Sequence, residues 1–331
     1  MPSRCIIFFM KKIISVNLSL LLLLFCGCTA QTNKDTRFLL DTVVSLTALC
    51  DGDTLDGAFE LCEEYQNLLS RTYSESDVYT LNGADGFVEV SEHTRKIIEK
   101  AIYYGDLSGG KFDITVYPIS SLWNFKDDTL PSRDEIAEAL QNVDYQSIEI
   151  KGNAVNLNGK KIDLGGIAKG YIADRLLEYF KSKSVSEGII DLGGNLIVFG
   201  DRDYTVGIKQ PFSDGEYAAK LKLRNKTVVT SGTYERYIQK DSKIYHHILD
   251  KKTGYACETD LCSATVISQS SLDADALSTV CILVGLEGAK EIIENTPDTE
   301  AVFIDNDKKL HYTSGLSLKG DTITLKKHFI Y

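Results

Sequence analysis

"KIDLGGIAKGYIADRLLEYF", residues 161–180, reads as a strand, a glycine turn and a helix. The next stretch of chain decides the fold class. "IDLGG" returns at 190–194, and there the glycine pair leads into another strand, "NLIVFG", not into a helix. Residues 185–240 continue as strands joined by tight turns, and "KIYHHILDKKTGYA" (243–256) pairs back across "KDS". Runs with helical periodicity interleave at 53–70, 91–110, 131–143, 167–183, 271–284 and 287–295. This is an α+β pattern, not a regular alternation of strand and helix. "FLLDTVVSLTAL" (38–49) reads as one β-branched strand. "RTYSESDVYTLN" (71–82) reads as a polar segment, and "KFDITVYPISSLWNF" (111–125) begins as a strand that Pro118 breaks. No composition break occurs after residue 37. The expectation is a single compact domain over 38–331, built of meandering antiparallel strands with interleaved helices.

The 331 residues are 43 % hydrophobic and 25 % charged, which suits a globular chain with a sizeable core. The formal net charge is −11 with no basic stripe, so no nucleic-acid partner is expected. Lys11 and Lys12 precede an apolar run from Ile13 to Phe25, too short for the ~20 residues of a spanning helix. It fits a secretory signal. "LFCGC" (24–28) then resembles a lipobox, so residues 1–27 are expected to be a lipoprotein signal peptide, with a lipid on Cys28. A plain secretory signal cleaved nearby is the alternative. Residues 28–37 are expected to be a polar tether, and the protein to sit lipid-anchored on the extracytoplasmic face of a bacterial membrane. Without Cys5, Cys26 and a lipidated Cys28, five cysteines remain, an odd number.

Three segments carry chemistry. In "SLDADALSTVCILVG" (271–285) the acids at the start read first as capping and dipole contacts, with Ser270 or Ser271 as the cap. Asp275 and Thr279 lie four apart, however, so both face one side of the helix and offer two hard oxygens to Mg²⁺. The turn at 163–166 presents free backbone N–H groups at a helix start, with Lys169 beside them, as an anion site would. A tight turn with a surface lysine is the equal alternative. In 227–256, Glu235 and His247 fall on facing strands, where an imidazole beside a carboxylate serves as a general base. The carboxylate is expected to push the imidazole pKa up.

Taken in order, "LLDTVVSLT", "LLSRTYSESDVYTLN", "GGKFDITVYPISSLWNF", "IDLGGIAKGYIADR", "IIDLGGNLIVFG", "TSGTYERY", "HHILDKKTGY" and "DADALSTV" resemble the ApbE family, the FAD:protein FMN transferases, over roughly residues 38–295. Leu40-Asp41-Thr42 departs from the family's usual Met-Gly-Thr, and Tyr117 stands where glycine is common. The resemblance implies a T-fold-like ApbE domain and Mg²⁺ held by Asp275, Thr279 and the carbonyl of Gly166. It implies FAD as substrate, contacted by Asp163 and Lys169, with Leu40, Tyr73, Lys111, Phe112 and Asp113 lining its pocket. His247 and Glu235 fall close to the chemistry, with His247 expected as the base. The implied reaction moves FMN from FAD onto a Ser or Thr hydroxyl of an acceptor flavoprotein, such as a subunit of an Rnf-type or sodium-pumping redox complex, and releases AMP. An Mg²⁺-dependent FAD pyrophosphatase and a non-enzymatic flavin-binding lipoprotein are the alternatives. A tyrosine at 73 argues for transfer.

Overall fold

The computed structural model describes residues 31–326, apart from 128, 214 and 242. The expected signal peptide, the lipidated Cys28 and the first residues of the tether lie outside the described residues. Strands β1 (Thr32–Leu39), β2 (Thr42–Leu49), β6 (Gly188–Asp191), β7 (Asn195–Phe199), β10 (Lys226–Gly232), β13 (Leu261–Ser268), β14 (Glu300–Asp305) and β15 (Leu310–Tyr312) form an eight-stranded antiparallel sheet in that spatial order. β16 (Leu316–Lys319), β17 (Thr322–Leu325), β9 (Tyr217–Leu223) and β8 (Tyr204–Lys209) form a smaller sheet, in which β17 runs parallel to β9. β3 (Val88–Glu89), β5 (Ala154–Asn156) and β4 (Glu149–Lys151) make a third, and β11 (Tyr237–Lys240) with β12 (Lys243–His246) a lone hairpin. The helices are α1 (Gly52–Leu68), α2 (Asp77–Gly83), α3 (Glu92–Leu107), α4 (Tyr117–Ser120), α5 (Arg133–Leu140), α6 (Ala168–Ser182) and α7 (Ser271–Glu294).

The large sheet is the middle of three layers. Along its strands successive residues enter opposite cores. Ile197 and Phe199, Val229, Val266, and Ala301 and Phe303 face the helical side. Val198, Val228, Ile267, and Val302 and Ile304 face the small sheet. Every residue of β13 is buried. A strand covered on both faces must be apolar throughout, so "LCSATVIS" shows no strong alternation.

Four sequence expectations need correction. Residues 32–37 are not tether. They pair residue for residue with β2, and the stretch 38–49 is a hairpin rather than one strand. Its turn is Leu40-Asp41, both in the left-handed region at φ 55° and 56°, as a two-residue hairpin requires. The polar composition of 32–37 reflects an edge strand with one face in water, where the Arg37 guanidinium lies 4.2 Å above the Phe59 ring. The polar segment 71–82 contains the start of α2, capped by Ser76. Residues 111–117 form no strand. Asp113 caps a 3₁₀ turn at Ile114–Val116, and α4 comes next with Pro118 in its first turn, where a missing N–H costs nothing.

α7 is capped by Ser270, which accepts from the Asp273 amide. Gly285, at φ 79°, breaks the helix at the gap expected between 284 and 287, and Asp260 recaps the second half through the Leu286 N–H at 2.9 Å. The five cysteines Cys50, Cys62, Cys257, Cys262 and Cys281 are buried free thiols. Among the described residues no helix is long and apolar enough to cross a membrane.

Candidate active site

Both "IDLGG" copies close an aspartate onto the first glycine, but only Gly193 and Gly194 take positive φ, 69° and 92°. Asp163 Oδ1 accepts from the Gly165 N–H at 2.9 Å, and Asp191 Oδ1 accepts from the Gly193 N–H at 3.0 Å. The two turns meet through Lys169, whose Nζ donates to the Gly193 carbonyl at 3.4 Å. Thr42 packs so closely on Gly193 that a side chain there would clash with its hydroxyl, so the β1–β2 hairpin carrying Leu40 abuts the second turn.

α7 supplies the other wall. Asp275 is 4 % exposed, and its Oδ2 accepts from the Gly170 N–H at 2.8 Å. The two helices can approach this closely only because residue 170 is glycine. A Cβ there would lie 2.7 Å from that of Asp275 and 2.2 Å from the Ser271 carbonyl oxygen. Thr279 Oγ1 lies 3.3 Å from Ser231 Oγ on β10, and Ser231 also bonds Ser278 at 2.7 Å. A Cβ on Gly166 would stand 3.8 Å from Thr279 Oγ1 and 3.3 Å from the Phe112 ring. The fold therefore gathers Gly166, Phe112, Lys169, Asp275 and Thr279 around one turn.

Burial pushes the Asp275 carboxyl pKa up, while Lys169 and the Gly170 N–H pull it down. Among the described residues Asp275 Oδ1 takes no hydrogen bond, and no three His, Cys, Asp or Glu side chains converge as a metal cluster. One buried carboxylate oxygen, one hydroxyl and a nearby backbone carbonyl form an all-oxygen set. That set suits Mg²⁺, which keeps several waters and shares its shell with substrate phosphates.

Glu235 and His247 lie within the field of Lys169, the carboxylate exposed and the imidazole half-buried. Glu235 Oε1 lies 3.7 Å from where a Gly194 Cβ would be. Desolvation raises its pKa, and Lys169, Arg236 and Lys209 oppose the rise. His247 is lowered to about 4, by desolvation first and then by the charges of Arg236, His246 and Lys169. This corrects the expected upward push from Glu235. The register places Tyr237 opposite His246, and the His247 imidazole bonds to the Arg236 carbonyl, not to Glu235. A carbonyl only accepts, so Nδ1 carries the proton and Nε2 is left as the base. Because both groups are partly exposed to water, the desolvation reaches full strength only when a ligand covers them.

Other expected pocket residues are engaged elsewhere. Lys111 Nζ donates to the Leu283 carbonyl at 2.9 Å. Asp113 accepts from the Thr115 N–H and hydroxyl, the Tyr145 N–H and Lys251. Tyr73 is 43 % exposed and its hydroxyl donates to Glu75 at 3.0 Å. Asp163 pairs with Arg71 at 3.0 Å, and the Arg71 guanidinium lies 5.1 Å above the Tyr117 ring. Sequence reasoning missed Arg71, Gly170 and Asp174. Asp174, on α6, accepts from the Ser271 and Leu272 N–H groups and is the anion at the start of α7.

The profile of the ApbE family matches residues 40–303, which hold every residue of this cluster. The chain belongs to the ApbE family. It is 31 % identical over 288 residues to the FAD:protein FMN transferase of Treponema pallidum, covering 79 % of this chain and 80 % of the relative. It is 33 % identical over 270 residues to a protein of that name from Klebsiella pneumoniae, covering 79 % and 85 %. The ApbE protein of Thermotoga maritima superposes with a TM-score of 0.78 at 30 % identity, over 86 % of this chain and 97 % of that one. The flavin transferase ApbE of Vibrio cholerae shares the fold at a TM-score of 0.75 and 21 % identity, over 86 % and 98 %. These likenesses bear out the expected ApbE-like α+β domain.

Proposed function

We propose that this ApbE-family protein transfers FMN from FAD to a Ser or Thr hydroxyl of an acceptor protein and releases AMP. The observation that carries the reading is the seating of Asp275, Thr279, Gly166 and Lys169 around one glycine turn. Asp275, Thr279 and the Gly166 carbonyl would hold Mg²⁺, which when bound neutralises charge on the pyrophosphate of FAD. The Lys169 ammonium holds phosphate oxygens. His247 Nε2 takes the proton of the acceptor hydroxyl, which is a weak nucleophile unaided. The acceptor oxygen bonds to the FMN phosphorus, and the bridging P–O bond to AMP breaks with its electron pair going to AMP. The site is open to water, so release of free FMN is the competing outcome.

The test mixes mature protein, FAD, Mg²⁺ and a candidate acceptor subunit of an Rnf-type or sodium-pumping redox complex. In-gel flavin fluorescence on the acceptor supports transfer. Free FMN with an unlabelled acceptor makes the protein a pyrophosphatase, and FAD that is bound but unchanged makes it a flavin carrier.

The lipobox-like "LFCGC" supports a lipid on Cys28 and a place at the extracytoplasmic membrane face. Native protein is expected to incorporate labelled palmitate and to sediment with membranes, and Cys28→Ser to do neither. Soluble native protein with a free Cys28 thiol would sink this reading.

A further inference from the structure

The segment Lys111–Asp113 is tied at both ends. Lys111 reaches the Leu283 carbonyl, in the last turn before α7 breaks, on the helix that carries Asp275 and Thr279. Asp113 reaches Lys251 Nζ at 2.8 Å, with the Asp113 side chain 1 % exposed. Phe112, between them, packs against Gly166. Lys251 belongs to the turn four residues past His247. The bridge Leu249–Ala256 and the Cys257 N–H to Ile248 carbonyl bond at 3.0 Å close that turn into a hairpin, so anchoring the turn anchors the imidazole.

We propose that Lys251 is a positioning residue for His247. Its ion pair with Asp113 sets the separation between the imidazole and the wall made by Phe112 and Gly166. The inference rests on the proposed role of His247. The far end of the turn is held separately, by the Trp123 indole N–H on the Gly254 carbonyl at 3.1 Å. The near end is packed by the buried Ile248 and Leu249 and tied to the Phe112 segment by Lys251, whose ammonium also lies 4.9 Å above the ring of Tyr145. Tyr145 in turn donates its N–H to the same Asp113 oxygen at 3.2 Å. A misplacement of about 1 Å at a reacting group is enough to cost up to ~10²-fold in rate.

Replacing Lys251 alone strands a buried carboxylate and endangers the fold. The informative variant therefore removes both charges, as Lys251→Met with Asp113→Asn. It is expected to keep its melting temperature to within a few degrees and its FAD affinity by fluorescence quenching. Single-turnover transfer at saturating FAD should fall by roughly 10–100-fold. Lys251→Arg should recover most of the rate, because the guanidinium reaches the same carboxylate. A second readout does not need turnover. The His247 Nδ1–H, held by the Arg236 carbonyl, should exchange faster with solvent in the double variant, by nitrogen-15 NMR. An unchanged transfer rate and exchange overturn the proposal, as does a loss of FAD binding in step with rate. So does a Lys251→Arg variant as slow as the double variant. If the parent moves no FMN at all, the proposed function falls and the exchange rate alone decides the brace. Should the double variant fail to fold, Asp113→Asn alone takes its place in every measurement, since it breaks the ion pair and leaves unpaired only the more exposed Lys251 ammonium.

Discussion

Asp275→Ala is expected to lower FMN transfer by roughly 10³-fold or more, about 4 kcal/mol of barrier, because it removes the only charged oxygen assigned to Mg²⁺. The fold should survive. Gly170 loses the acceptor of its N–H, but a carboxylate held out of water is lost with it. Linkage gives the sign. A carboxyl whose folded pKa is raised stabilises the fold below its unfolded pKa, and that contribution is lost as pH rises through the folded value. At neutral pH and without metal, the ionised Asp275 is therefore a burden. The variant should melt no lower than about a few kcal/mol of lost hydrogen bonding allows. Mg²⁺ should raise the melting temperature of the parent and not that of the variant. Asp273→Ala is the control. Asp273 accepts from Lys100 Nζ at 2.8 Å and from the buried Tyr104 hydroxyl at 2.7 Å. Its loss should cost about 1–3 kcal/mol of stability with activity retained. Equal loss of activity in two well-folded variants would remove the basis for Asp275 as the ligand.

His247→Ala should slow transfer by roughly 10²–10⁴-fold, the scale of a lost acid–base group, while FAD and Mg²⁺ still bind. His246→Ala should lower stability instead. His246 is 5 % exposed, and its Nε2 donates to the Cys257 carbonyl at 3.2 Å. With a ligand covering it, His247 is held at about 4 and the imidazole is neutral through the physiological range. The pH profile of kcat, which reports the filled site, should therefore be flat between about pH 5.5 and 8, not rise through the ordinary histidine pKa. Stability has the opposite dependence to that of Asp275. A depressed pKa contributes stability above the unfolded value of 6.5, and this is lost as pH falls toward about 4. His93 and His246, also lowered by burial, act in the same direction. A profile that rises tenfold per unit through pH 6–7, with His246→Ala as the dead variant, would move the base to the wrong histidine.

The part of the site legible in the sequence is the part held in single elements. Asp275 and Thr279 share a helix face by spacing, and "IDLGG" writes its aspartate-to-glycine closure twice. Contacts between elements were not legible. Nothing near residue 170 states that a helix will pass within contact of it, and Asp174 gives no sign that it caps α7. The resemblance grouped Lys111, Phe112 and Asp113 as pocket lining. In the fold only Phe112 packs at the glycine turn, because Lys111 reaches the Leu283 carbonyl and Asp113 caps the 3₁₀ turn and pairs with Lys251. The reversed sign at His247 has a similar cause. Glu235 is near in sequence terms, but the β11–β12 register turns the imidazole to a backbone carbonyl and leaves burial and the nearby cations to dominate.

The β1–β2 hairpin has a consequence for reach. With a lipid on Cys28, only Thr29, Ala30 and Gln31 separate the anchor from the first paired residue. Three residues span at most ~10 Å. From Thr32 the chain runs the length of β1, ~26 Å for eight residues, to the turn that abuts Gly193. The domain would then be held on a short leash, with the turn no more than ~36 Å from the anchor, so an acceptor hydroxyl must come within that distance of the bilayer to be served.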